Sequence, residues 1–175
     1  SELEKVLDEV RKRAKESLRR SEELAKRVEE MDERNLRNSK ELRERVEEVI
    51  KRLLEVARQN RSDKKDLLRR IEEVLEEVRR HIEENLRHNE KVLEEVERVS
   101  EKNLRDVKRV LEEVRRKARS RVLEEVERIV KRVLDEDKKV LDRLRRSVER
   151  SSRESEKVLD ELKKRVDRVL DEVRR

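Results

Sequence analysis

Two histidines are the first residues to weigh for chemistry. His81 and His88 lie seven residues apart with Asn85 between them, a spacing of about two helical turns. A transition metal held there would need further His or carboxylate ligands at the same level. The polar neighbours are Asn and Ser, which are poor ligands. The other candidate is Asp137, which takes the place of an apolar residue between Val133 and Val140. A catalytic carboxylate needs a second acid or base and a cleft. The groups expected at its level are Asn103, Ser17 and Ser21, and Ser with Asp but no His is not a triad. No metal ligand, cofactor or catalytic residue is assigned, and an enzyme is not expected.

Composition removes other chemistries. The 175 residues include no Gly, Pro, Cys, Phe, Tyr or Trp. Disulfides, thiolate metal sites and cysteine nucleophiles are excluded. So are Gly-rich phosphate loops, which need backbone that only Gly adopts cheaply. Strand-rich folds lack their turn and pairing residues. Charged residues make up 57% of the chain, with 53 Lys and Arg against 47 Asp and Glu, a net +6. The two signs are interleaved along the whole length, and there are no aromatic stacking platforms. Nucleic acid is therefore not an expected partner. The longest apolar run is two residues, and the opening SELEKVLDEV has no apolar signal core. No membrane partner or targeting is expected, and soluble cytoplasmic expression is.

The elements that must position any polar group are helices. Apolar residues recur at three- and four-residue spacings, as in Leu3, Leu7, Val10, Ala14 and Leu18, the stripe of an amphipathic helix. A longer period overlies it. At a lag of about 18 residues, five turns of an unstrained helix, Val10 maps to Val28 and Val46, Leu18 to Leu36 and Leu54, and Val78 to Val96 and Val114. Nearly straight helices are expected from that period. The stripe breaks between Ala57 and Leu67, where Asn60 suits a helix end and Ser62 or Asp63 a helix start. It slips phase again near Lys117 to Arg121, where Ser120 suits an N-cap. The fold predicted is all-α: one domain over 1–175, an antiparallel up-down-up three-helix bundle with long helices near 2–59, 63–117 and 121–174.

Short polar residues interrupt the apolar stripe. Helix one carries Ser17, Ser21, Asn35, Asn38 and Ser39. Helix two carries His81, Asn85, His88, Asn89, Ser100 and Asn103, and helix three carries Asp137, Ser147, Ser151, Ser152 and Ser155. With turns centred near Arg61 and Arg119, residue i of helix one lies opposite about 122 minus i, and residue j of helix two opposite about 239 minus j. Asn35 then meets the level of Arg87, Asn85 to Asn89 that of Arg150 to Glu154, and Asn103 that of Asp137. Two buried hydrogen-bonding layers follow, one central and one around Ser17, Ser21, Ser100, Asn103 and Asp137. Such layers penalise slipped registers, because an unpaired buried polar group costs about 1 to 3 kcal/mol. Histidines buried there would be neutral, with pKa depressed below about 6.5, and stability would fall as pH drops through that range.

At this point the chain resembles de novo designed helical bundles with parametric backbones and buried hydrogen-bond networks. The resemblance rests on the VLEEV-type segments Val74–Val78, Val92–Val96, Val110–Val114 and Val122–Val126, on the five-turn period, and on the Ser, Asn and His layers. It implies high stability and no evolved activity. Loops of such designs often contain Gly, which this chain lacks. Natural spectrin-type three-helix repeats share the topology but usually carry core Trp, and no residue here matches. The expectation is a designed structural scaffold. The alternatives are a subunit of a designed homo-oligomer and a pH-responsive binding scaffold. A monomer with no required partner or cofactor is expected, and the handedness of the bundle is open.

Overall fold

Without Gly or Pro the chain holds neither of the two strongest helix breakers, and the Leu, Arg, Glu and Lys that fill it are strong helix formers. The computed structural model describes residues 2–59, 64–117 and 119–174. Its described residues form three helices: α1 (Glu2–Arg58), α2 (Lys64–Lys117) and α3 (Ser120–Arg174). The expected turn residues Asn60, Ser62 and Asp63 lie outside the described residues. At the end of α1 the Gln59 N–H donates to the Glu55 carbonyl at 3.2 Å. The start of α3 corrects one expectation. The Arg119 carbonyl accepts from the Val122 and Leu123 N–H groups at 3.1 and 3.0 Å, so the backbone makes Arg119, not Ser120, the N-cap. Arg115, Arg116 and Lys117 fill the last turn of α2 and Asp66 its first, both favourable to the helix dipole.

The chain divides into two compact units. The first takes Ser1–Glu30 with Lys91–Val148, and the second Met31–Glu90 with Glu149–Arg175. Each therefore draws on all three helices, and the cross-helix pairs of each give the same topology. In the first unit Arg20 pairs with Asp106 and Arg27 with Glu95, so rising numbers on α1 meet falling numbers on α2. Between α2 and α3, Asn103 meets Asp137 while Arg115 meets Glu127, again antiparallel. In the second unit, Asn38 meets Asn85 while Arg45 meets Glu77. On α3 the numbers there rise with those of α1: Arg43 pairs with Glu161 and Glu47 with Arg165. The order is up, down, up, an antiparallel three-helix bundle. All three helices pack against one another.

Aliphatic side chains fill the core of each unit. In the first, Val10, Val107, Val110, Val114, Val126 and Val130 form one cluster. In the second, Val46, Ile50, Ile71, Ile82, Val166 and Val169 are nearly sealed from water. Each such side chain contributes about 1.5 to 3 kcal/mol by leaving water. The stripe reading fails most clearly at two positions. Leu18 and Leu36 are 56% and 65% exposed. Their neighbours Ser17 and Asn35 take the inward position instead, and one residue along a helix is a rotation of about 100°.

Candidate functional site

The first unit contains a network centred on Asp137. Its Oδ2 accepts from Ser17 Oγ at 3.2 Å and from Asn103 Nδ2 at 2.7 Å, and its Oδ1 accepts from Ser21 Oγ. Ser17, Ser21 and Asn103 are buried, and Asp137 is half-buried. One carboxylate thus gathers donors from α1 and α2 onto α3. Because an ionised acceptor makes stronger bonds than a neutral one, a single Asp can organise three neutral donors. Arg20 extends the network: its guanidinium donates to Asn103 Oδ1 at 3.4 Å and to Asp106 Oδ2 at 2.6 Å. The Arg20 hydrogen bond, joined by its charge, holds the Asp106 carboxyl below its ordinary pKa, against a smaller upward push from burial.

The second unit contains a chain of amides and hydroxyls. Asn35 Nδ2 donates to Asn89 Oδ1 at 2.9 Å and to Ser151 Oγ at 2.7 Å, and Asn89 Nδ2 donates to Ser152 Oγ at 3.1 Å. Asn35, Asn89 and Ser151 are buried. One turn before Asn89 on α2, Asn85 Oδ1 accepts from Asn38 Nδ2 at 3.3 Å. Asn85 is buried but its Nδ2 has no partner. At the edge of this network stands Asp32, hydrogen-bonded to Ser151. Burial pushes the Asp32 carboxyl above its ordinary pKa, and Glu154 adds to this; the Ser151 bond and Arg150 oppose it.

Several expected members stand elsewhere. His81 and His88 are exposed rather than buried. The inward positions beside them belong to Ile82 and Asn89, each one residue on, so both rings are turned away by about 100°. His81 Nε2 lies 3.9 Å from the Glu77 carboxylate in an exposed contact, a geometry of little energetic weight. The burial on which a histidine-driven pH response depended is absent. Ser39, Ser100 and Ser147 are half-buried, Ser155 is buried, and none of the four enters either network among the described residues. Conversely, the sequence reading missed Asp32, Arg20 and Asp106. All three sit three residues from a buried polar position: Asp32 from Asn35, Arg20 from Ser17, Asp106 from Asn103. That spacing places them on the same helix face and was the available signal.

The sequence repeat relates only part of the two networks, because Ser39 and Ser155 enter neither among the described residues. A shift of about 18 residues, five helical turns, carries Ser17 onto Asn35, Ser21 onto Ser39, Asn85 onto Asn103 and Asp137 onto Ser155. Each network is bordered by an open groove between α1 and α3. One, of ≈ 170 Å³, runs past Asp32, Asn35, Leu36, Ser39, Ser151 and Ser155. The other, of ≈ 250 Å³, runs past Ala14, Ser17, Leu18, Val133, Asp137 and Val140. Small side chains at the network level fill less space than Leu and Val, and the grooves follow from that deficit. Among the described residues no group of three or more His, Cys, Asp or Glu is placed to hold a metal ion. No described helix is long and apolar enough to cross a membrane.

No protein-family model and no curated protein sequence matches the chain. Among solved structures it is similar to a computationally designed three-helix bundle, with 20% identity, a TM-score of 0.43, and coverage of 98% of this chain and 88% of that one.

Proposed function

We propose that this chain is a designed structural scaffold without enzymatic activity, and that its two buried polar networks select one pairing of its helices. The observation that carries the reading is the convergence of Ser17, Ser21, Asn103 and Asp137, and separately of Asn35, Asn89, Ser151 and Ser152, from three helices each. A uniform Leu and Val interior gains nearly as much burial in a slipped register. Separating these groups would strand buried donors, at about 1 to 3 kcal/mol apiece. The composition, free of Gly, Pro, Cys and aromatics, supports a designed origin. On this reading residues 1–175 act as one domain and as a monomer, with no cofactor, nucleic acid or membrane partner.

The test compares the chain with a variant whose two networks are replaced by Leu and Val. Cysteine pairs report the register: Arg27→Cys with Glu95→Cys at the native level, and Arg27→Cys with Lys102→Cys a heptad away. In the original chain only the first pair should crosslink within one molecule. In the aliphatic variant the second should crosslink too, or the mass by light scattering should exceed one chain. A variant that stays monomeric and crosslinks at the native level alone refutes the assignment. The exposed Leu18 and Leu36 favour the homo-oligomeric subunit as the second reading, and sedimentation at micromolar concentration separates it from the monomer.

A further inference from the structure

Asp137 differs from its three hydrogen-bond donors in its charge. It accepts three hydrogen bonds from neutral donors and forms no ion pair among the described residues. A carboxylate offers about four acceptor sites. Oδ2 takes two donors and Oδ1 only Ser21, so Oδ1 has room for another. A half-buried carboxylate bonded directly only to neutral donors can still take a cation, and one delivered with its own apolar body would also cover the groove. The surroundings supply the apolar complement. Asp137 lines the ≈ 250 Å³ groove with Ala14, Leu18, Val133 and Val140, and exposed Lys15 and Glu136 stand beside it. Leu18, 56% exposed, offers an aliphatic wall. The volume falls below the about 300 Å³ at which drug-sized pockets begin, which points to a fragment-sized occupant.

We propose that the α1–α3 groove at Asp137 binds small hydrophobic ammonium compounds, the ammonium donating to the Asp137 carboxylate and the alkyl or aryl body lying along Leu18, Val133 and Val140. This is a binding site in addition to the scaffold role. The neutral Ser17 and Ser21 hydroxyls hold the carboxylate in place, Glu136 adds to its attraction for a cation, and Lys15 opposes it.

The test is a methyl-resolved NMR titration of the intact chain at pH 7 and low salt, with phenethylammonium chloride and with 2-phenylethanol, its neutral counterpart. The expected result is saturable shifts at Leu18, Val133 and Val140, with the ammonium binding at least about tenfold more tightly than the alcohol. Asp137→Asn should erase that difference. Leu18→Ser, at an exposed position, should weaken phenethylammonium binding while leaving the helical circular dichroism unchanged. Equal affinity for the two probes, shifts that never saturate, or indifference to Leu18→Ser each overturns the proposal. The comparison of the two probes uses the unsubstituted protein, so it stands whether or not the Asp137 variant folds.

Discussion

Replacing Asn85 by Leu should stabilise this protein, although it removes a polar residue from a hydrogen-bonded layer. Asn85 is 7% exposed, and its Nδ2 has no acceptor. A buried donor in that condition costs about 1 to 3 kcal/mol. The bond that its Oδ1 accepts from Asn38 is long at 3.3 Å. Losing it removes about 0.5 to 1.5 kcal/mol, and the half-buried Asn38 amide can turn to water. Leu brings about 1.5 to 3 kcal/mol of burial, reduced by about 1 to 3 kcal/mol if the site is too tight for the branched chain. The balance is a gain of about 1 kcal/mol. Asn35→Leu, a substitution of the same type at a satisfied amide, should have the opposite sign. It removes the donor to both Asn89 and Ser151 and strands the buried Asn89 Oδ1, for a loss of about 1 to 3 kcal/mol. Guanidinium unfolding, read at constant slope and at a temperature where both baselines are visible, measures the two differences. If both substitutions shift stability in the same direction, the contrast between an orphaned and a satisfied amide is not what governs this layer.

Four further outcomes are expected. Asp137→Ala should cost roughly 1 to 3 kcal/mol in unfolding free energy, since it leaves Ser17, Ser21 and Asn103 without their shared acceptor; a change within experimental error would remove the network's energetic role. Asp32 and Asp106 should give opposite pH signatures. The raised folded pKa of Asp32 is a penalty that is full above that pKa and is relieved as pH falls toward the unfolded 3.8, whereas the depressed pKa of Asp106 is a gain that is full above 3.8 and is lost as pH falls through its folded value. Unfolding of Asp32→Asn and Asp106→Asn from pH 7 to pH 3 reads this: the first should be relatively stabilised and the second relatively destabilised at pH 7, with both differences shrinking in acid. The double substitution His81→Gln with His88→Gln should alter stability at neutral pH by no more than about 0.5 kcal/mol, as befits exposed side chains; a larger loss would return the rings to the interior. Leu36→Lys should be similarly neutral, while Val96→Ala, at a fully buried position, should cost about 1 to 3 kcal/mol by thermal or chemical unfolding.

Much of the site is legible because polar residues on an apolar stripe have few uses. Asn35, Asn89 and Asn103 stand where Leu or Val would otherwise repeat, and folding the chain at its two stripe breaks brings them near their partners: Asn35, expected at the level of Arg87, bonds Asn89. The histidines show where this reasoning loses resolution. His81 precedes Ile82 and His88 precedes Asn89, so each belongs to the stripe only if the helix is rotated by about 100°. A neutral imidazole and an amide fit the pattern equally well by spacing. Only the packing of α2 against its neighbours selects which of two adjacent residues faces inward. The same ambiguity misplaces Leu18 and Leu36 beside Ser17 and Asn35. Asp32, Arg20 and Asp106 were obscured for another reason: in a chain that is 57% charged, their three-residue spacing from Asn35, Ser17 and Asn103 is a faint mark.

The linear order of residues determined that α1, α2 and α3 form and very nearly where they end, because helix propensity and apolar spacing act within a few turns of any residue. It also determined that polar side chains from separate helices would share levels, since rise per residue converts sequence distance into height. Tertiary structure alone decided which hydroxyls meet which acceptors, that Asp137 gathers three donors while Asn85 keeps one unpartnered, and that the histidines face water. Those outcomes depend on rotations of each helix about its axis. A rotation is set by the summed fit of side chains on two neighbouring helices, a quantity that no single segment contains.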